Sequence, residues 1–208
     1  MLKYLSDVEI SRLNLHLQAR MQGANCPFVA LRNQAMVSLM LNAGLRVSEV
    51  CSLRLGQIFA SGTIPASITL DAKNCKSGVE RTLPVSSVLR GDLAAYLSFY
   101  FSVSGVELEP ELPAFPRFKT HSSLGLKEFL QPRALQMLIK SAGVEAGIAL
   151  LTPHILRHTF ATRLLPHCNI RVIQVMLGHK SLTSTQVYTH VNLGDMTTAV
   201  NRLLPPGS

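Results

Sequence analysis

Apolar residues recur along this chain at two spacings: three to four residues over most of its length, and two residues over one short interval. Ser6-Asp7-Val8-Glu9 forms a capping box between Leu5 and Ile10, which predicts a helix from about Asp7 with Ile10, Leu13 and Leu17 buried. Pro27 suits the first turn of a second helix, apolar through Val37, Met40 and Leu41 and stopping near Gly44. Leu45 to Leu53 reads as a short helix with Arg46 and Glu49 on one face and Val50 and Leu53 inward. From Ile64 to Val85 the period changes to two. Ile68 and Leu70, a polar turn through Asn74 and Gly78, then Val79, Arg81, Leu83 and Val85 read as a hairpin, with Lys73 and Lys76 in or beside its turn.

Leu89, Leu93, Tyr96, Tyr100 and Val103 restore the helical period. Gly105 to Gly125, rich in proline and holding Glu107, Glu109 and Glu111, reads as a loop and the one internal hinge or mobile surface. Pro132 opens a helix with Leu135, Leu138, Ile139 and Ala142 inward. Thr152-Pro153 is an N-cap followed by proline at the first helical position. That helix buries Leu156, Phe160 and Leu164 and leaves His154 and Arg157 on a different face, near the end where an anion is favoured. Asn169 caps the next helix, with Ile170, Ile173 and Met176 inward and Gly178 ending it before His179. Met196 to Leu204 suits a last short helix. The pattern is mainly α with one small antiparallel β-hairpin, an α+β fold.

Composition narrows the class. With 208 residues and 47% hydrophobic content, the chain has enough apolar material for a core, which excludes disorder as the whole answer. Its longest uncharged run, Leu55 to Leu70, is broken by Gly, Ser, Thr and Pro, so no membrane span is expected. Asp7 and Glu9 follow at once on the N-terminus, unlike a signal peptide, and a soluble cytoplasmic protein is expected. Cys26, Cys51, Cys75 and Cys168 form no Cys-x-x-Cys pair and read as reduced thiols. The net charge of +8 is uneven: residues 1–112 carry 10 Lys+Arg against 9 Asp+Glu, and residues 113–208 carry 10 against 3. A basic half with few acids is the electrostatic footprint of a nucleic-acid binder, although many basic proteins bind none.

Singly, each polar residue has an ordinary reading. Arg46 and Glu49 suit a surface ion pair, Lys76 a solvated turn charge, His154 a helix cap, and Tyr188 the edge of a core. Jointly they match what phosphoryl transfer requires: a nucleophile, cations around the non-bridging oxygens, and a proton donor for the leaving oxygen. Tyrosine ionises near pH 10, so it attacks at neutral pH only with a base or a cationic pocket beside it. Two arginines and two histidines can form that pocket. No run of carboxylates with metal-ligand spacing accompanies them, and neither a metal nor a cofactor is expected.

Ala43-Gly-Leu-Arg46-Val-Ser-Glu49-Val, His154-x-x-Arg157-His158-Thr-Phe-Ala-Thr, Leu177-Gly-His179 and Tyr188-Thr-His190-Val resemble, in order and spacing, the signature boxes of the tyrosine recombinase (phage integrase) family. The resemblance runs from about the first helix to Val191 and implies the catalytic-domain fold of that family. It implies Tyr188 as nucleophile, giving a 3′-phosphotyrosyl DNA intermediate and a free 5′-hydroxyl. Arg46 and Arg157 would bracket the scissile phosphate, His154 would assist proton transfer at the tyrosine, and His179 would bind a non-bridging oxygen. Lys76 resembles the hairpin lysine that protonates the 5′-oxygen, with Lys73 as its alternative, and Glu49 matches the acidic position that supports the arginine and histidine.

The implied activity is site-specific recombination or integration without a nucleotide cofactor, on double-stranded DNA sites, by a homotetramer assembled on the DNA. The alternatives are type IB topoisomerase-like relaxation and an inactive DNA-binding accessory protein of the same fold. One catalytic domain over 1–208 is expected, with a tail from about 193 that packs on a neighbouring protomer and without the family's separate N-terminal DNA-binding domain. Pro166-His167-Cys168-Asn169 is one residue shorter than the family's usual connection there and lacks its glycine.

Overall fold

The computed structural model describes residues 4–22, 27–75, 78–104, 109–120, 123–178 and 193–203. Within them the order is α1 (Asp7–Gln22), α2 (Pro27–Asn42), α3 (Val47–Ser52), α4 (Leu55–Ile58), β1 (Ser67–Leu70), β2 (Arg81–Pro84) and α5 (Ser87–Ser104). Then follow β3 (Pro116–Thr120), β4 (Ser123–Phe129), α6 (Pro132–Glu145), α7 (Pro153–Leu164), α8 (Ile170–Leu177) and α9 (Leu193–Asn201). The mainly helical fold with a small antiparallel hairpin is as the pattern predicts.

Helix α2 is the axis of the core. Every residue from Ala35 to Leu41 is buried, because α1, α3, α5 and α7 all pack on it. A helix enclosed on all sides has no use for a polar stripe. The α1 capping box forms as expected: Ser6 N–H donates to Glu9 Oε2 at 2.9 Å, and Glu9 N–H donates to Ser6 Oγ at 3.3 Å. Leu5 N–H also donates to Thr159 Oγ1 at 2.9 Å, which ties the start of the chain to α7. Strands β1 and β2 pair antiparallel with Ser67 opposite Pro84 and Leu70 opposite Arg81, and β2 is backed by α8 and α9.

Several expectations are corrected. The stretch read as a loop from Gly105 to Gly125 holds β3 and the start of β4, which pair antiparallel with register shifts. Its beginning is also anchored: Leu112 to Phe115 are buried, Leu55 N–H donates to Leu112 O, and Tyr96 Oη donates to Ala114 O at 2.8 Å. Apolar Leu112, Ala114 and Phe115 outweigh the prolines and glutamates around them. Ile170 is half exposed at the first position of α8, and Val172 takes the inward place beside Ile173 and Met176. Val79 is exposed, and the second strand of the hairpin begins only at Arg81. Helix α9 starts at Leu193 and not Met196. Through Met196, Ala199 and Val200 it packs against β2 and α8 of its own chain, and Leu203 just beyond it is buried as well.

Candidate active site

Glu49 has no exposed surface, although carboxylates are almost never fully buried unless they are paired. A carboxylate offers about four lone-pair directions, and here four donors occupy them. Oε1 accepts from Arg46 Nη1 at 2.9 Å and Arg81 Nη1 at 2.9 Å; Oε2 accepts from the Arg46 backbone N–H at 2.7 Å and Arg81 Nη2 at 2.7 Å. Burial alone would raise the pKa of Glu49. The hydrogen bonds and charge of Arg81, with those of Arg46, outweigh burial and hold the carboxyl below its ordinary range. The surface ion pair offered as the ordinary reading is therefore overturned: α3 turns Glu49 inward beside Val50, and the arginines come to it.

Arg157 is the third cation. Its Nη1 lies 3.9 Å from Glu49 Oε2, and it is buried, not displayed on an outer face of α7 with His154. Burial, and then the charge of Arg46, lower its pKa to about 9, with Glu49 acting in the opposite direction, so it stays protonated at neutral pH. Three guanidiniums surround one carboxylate, leaving two positive charges uncompensated within the group.

These arginines also fix the end of α8. Arg81 Nε donates to Met176 O at 2.9 Å, Arg157 Nη2 to Leu177 O, and Arg46 Nη2 to Gly178 O at 3.4 Å. The last carbonyls of a helix lack partners within it, and its C-terminal end favours cations, so one cluster meets both needs. Gly178 closes α8 in the left-handed conformation at φ 60°, which glycine adopts without strain. At the other side, Arg157 Nη1 donates to Gly44 O. Gly44 also has positive φ, and a Cβ there would lie 2.4 Å from Phe160 Cδ1, so only glycine lets this turn rest on α7.

Of the residues named from sequence, Arg46 and Glu49 at the start of α3 and Arg157 of α7 converge. His154 stands exposed in the first turn of α7, one turn before Arg157. Lys73 is exposed in the 3-10 turn Ala72–Asn74, beside a groove of about 680 Å³ lined by Arg54, Gln57, Asp71 and Glu111. Lys76, His179, Tyr188 and His190 lie outside the described residues. Cys75, whose Sγ is 3.3 Å from Arg81 Nη1, directly precedes Lys76 in sequence, and Gly178 directly precedes His179. Among the described residues no group of three or more His, Cys, Asp and Glu side chains gathers.

Arg81 went unrecognised as part of this group. The signal was present, since it alternates with Leu83 and Val85 on the apolar side of the hairpin. A charge in a buried register needs a distant partner of opposite sign.

Residues 4–194 match the phage integrase family over most of the chain. The chain belongs to that family. It is similar to the tyrosine recombinase XerA of Pyrococcus furiosus, 36% identical over 174 residues, covering 83% of this chain and 54% of that relative. A crystal structure of XerA recombinase superposes with a TM-score of 0.65 at 27% identity, covering 94% of this chain and 61% of that one. A lambda integrase tetramer bound to a Holliday junction shares the fold at 17% identity, with a TM-score of 0.58 over 88% of this chain and 48% of that one. The chain thus spans about half the length of the curated integrase-family relatives it matches. The expected recombinase catalytic-domain fold is the fold found, and no described helix is long and apolar enough to cross a membrane.

Proposed function

We propose that this chain is the catalytic domain of a site-specific DNA recombinase that cleaves and rejoins strands through a 3′-phosphotyrosyl intermediate. The observation that carries this reading is the cluster of Arg46, Arg81 and Arg157 around Glu49, bound to the end of α8 one residue before His179. A site with two uncompensated guanidinium charges suits the scissile phosphate and the charge that builds on it in the transition state. Arg46 and Arg157 face the non-bridging oxygens in this reading, with His179 as a further donor and His154 assisting the tyrosine proton.

Tyr188 Oη attacks the phosphorus, the P–O5′ bond breaks, and the 5′-oxygen takes a proton from Lys76. Attack by a 5′-hydroxyl reverses each step, so the number of phosphodiester bonds is conserved. Lys76 is preferred to Lys73 because it adjoins Cys75, which touches Arg81, while Lys73 rims the neighbouring groove. The partners of this reading are double-stranded DNA sites, and assembly is a homotetramer on DNA, as in the lambda integrase complex.

The test is a pool of randomised duplexes with a 5′-bridging phosphorothiolate at one fixed step, whose thiolate leaving group prevents reversal. The protein is expected to capture a subset as a covalent adduct stable to denaturation, and Tyr188→Phe to capture none while its melting temperature is unchanged. An undiminished adduct in Tyr188→Phe would remove Tyr188 from its role, and a parent protein that captures nothing would sink the reading. On the recovered sequence with an ordinary phosphodiester, Lys76→Ala should cleave about 100-fold more slowly and be rescued by the phosphorothiolate. The same rescue in Lys73→Ala would transfer the acid role to Lys73. Relaxation of a supercoiled plasmid without joining of two sites would favour the topoisomerase-like alternative.

A further inference from the structure

Three arginines share one carboxylate in this site, but not equally. Arg81 engages both oxygens of Glu49 with its two terminal nitrogens, the end-on arrangement that holds a carboxylate most firmly. Arg46 gives the carboxylate one side-chain hydrogen bond, and Arg157 comes only to 3.9 Å. The arginine that holds the carboxylate most firmly is also the least exposed. The side chain of Arg46 is 23% exposed, that of Arg157 10% and that of Arg81 6%, so Arg81 is the least able to reach a phosphate. Its third nitrogen, Nε, is occupied by Met176 O.

We propose that Arg81 is a positioning residue: by neutralising Glu49 and holding it against β2 and the end of α8, it keeps Arg46 and Arg157 available to an oxyanion. Without it, Glu49 is a buried carboxylate whose nearest remaining cations are the two guanidiniums that face the phosphate. Glu49 then draws them inward, and the site loses one of its two uncompensated charges. This assignment rests on the reading of Arg46 and Arg157 as the phosphate-facing pair. It also gives β2 a task beyond carrying the turn with Lys76: the same strand sets the charge of the site.

Because Arg81 would act through Glu49, neutralising Glu49 should relieve its loss, which a purely structural role would not allow. Parent protein, Arg81→Met, Arg81→Lys and the double variant Arg81→Met with Glu49→Gln are compared in two assays. The first is the rise in melting temperature with inorganic phosphate, against chloride at equal ionic strength. The parent is expected to respond, Arg81→Met to lose the response, and the double variant to regain it. The second is single-turnover cleavage of the recovered duplex at saturating protein. Arg81→Met should be slowed about 100-fold with its Kd for DNA little changed, and the double variant should recover about tenfold of that loss.

Arg81→Lys, which keeps the charge but not the two-point contact, should fall between. If Arg81→Met does not fold, the comparison passes to Arg81→Lys with and without Glu49→Gln. A parent without a phosphate response, a single variant that matches the parent in both assays, or a double variant no better than the single one would each overturn the proposal. Phosphate responses as expected from a parent that captures no duplex would leave Arg81 in place and remove the recombinase reading. Capture by the parent with an unaltered rate in the Arg81 variants would remove Arg81 alone.

Discussion

Glu49 shows how a single residue can carry the organisation of a site. Its carboxylate stays ionised without solvent because four N–H donors replace water, and removing it would leave three guanidiniums with no counter-charge among them. Breaking such a buried pair from one side costs about 3–5 kcal/mol, so Glu49→Ala should lower the free energy of urea unfolding by that order. The pH dependence has a definite sign. The carboxyl pKa is depressed in the folded protein relative to its ordinary 4.5, so its contribution is fully present above that value and is lost as pH falls through the folded one. Melting temperature measured from pH 7 downward should therefore decline more in the parent than in Glu49→Gln, whose amide does not titrate. Equal acid sensitivity of the two would contradict the ion-paired state of Glu49.

At the scale of elements, the site is a junction between the turn before α3, strand β2, helix α7 and the end of α8. Gly44 is where that junction is tightest. Gly44→Ala would place a methyl against the Phe160 ring at a backbone angle that L-residues avoid, with an overpacking cost of about 1–3 kcal/mol and a left-handed cost of about 1 kcal/mol. The expected result is a lower urea midpoint with an unchanged m-value, accompanied by slower cleavage because Arg157 loses its seat on Gly44 O. A stability equal to that of the parent would mean that the turn relaxes away from α7. The elements themselves were readable where a repeat pattern and a cap agreed, as in Ser6–Glu9 before α1, or Leu156, Phe160 and Leu164 on α7. Arg157 shows where that kind of reading stops. Helical spacing places it off the apolar stripe, but only the folded chain brings the α8 carbonyls and Glu49 over that flank. Ile170 is misplaced for a related reason, since the first position of α8 is still open to solvent when the third, Val172, is already covered. The β3–β4 pair was hidden because its register is irregular and its approach is rich in proline and glutamate, so no simple alternation marks it.

For the molecule as a whole, the deciding quantity is how its positive charge meets the proposed duplex. The excess of +7 lies in residues 113–208, yet Arg46, Lys73 and Arg81 come from the nearly balanced first part, so folding gathers cations that the linear distribution separates. Lys73 and Arg54 rim adjoining grooves of about 680 and 320 Å³, the second lined by Ser48 and Ser52 of α3, the helix that Arg46 precedes. A backbone strand of DNA crossing from the cluster to this rim would exchange its counterions for these side chains. Affinity should then fall linearly with the logarithm of salt concentration, by about 0.9 per phosphate contacted. Tyr188→Phe, which on the proposed reading should bind without cleaving, permits the measurement at equilibrium. In that background Lys73→Ala should weaken binding to all duplexes alike and lower the salt slope by about one. A single lysine cannot be both a phosphate contact at the rim and the proton donor at the leaving oxygen. An unchanged slope, together with a cleavage defect repaired by the phosphorothiolate, would place Lys73 at the reacting bond and remove it from the rim.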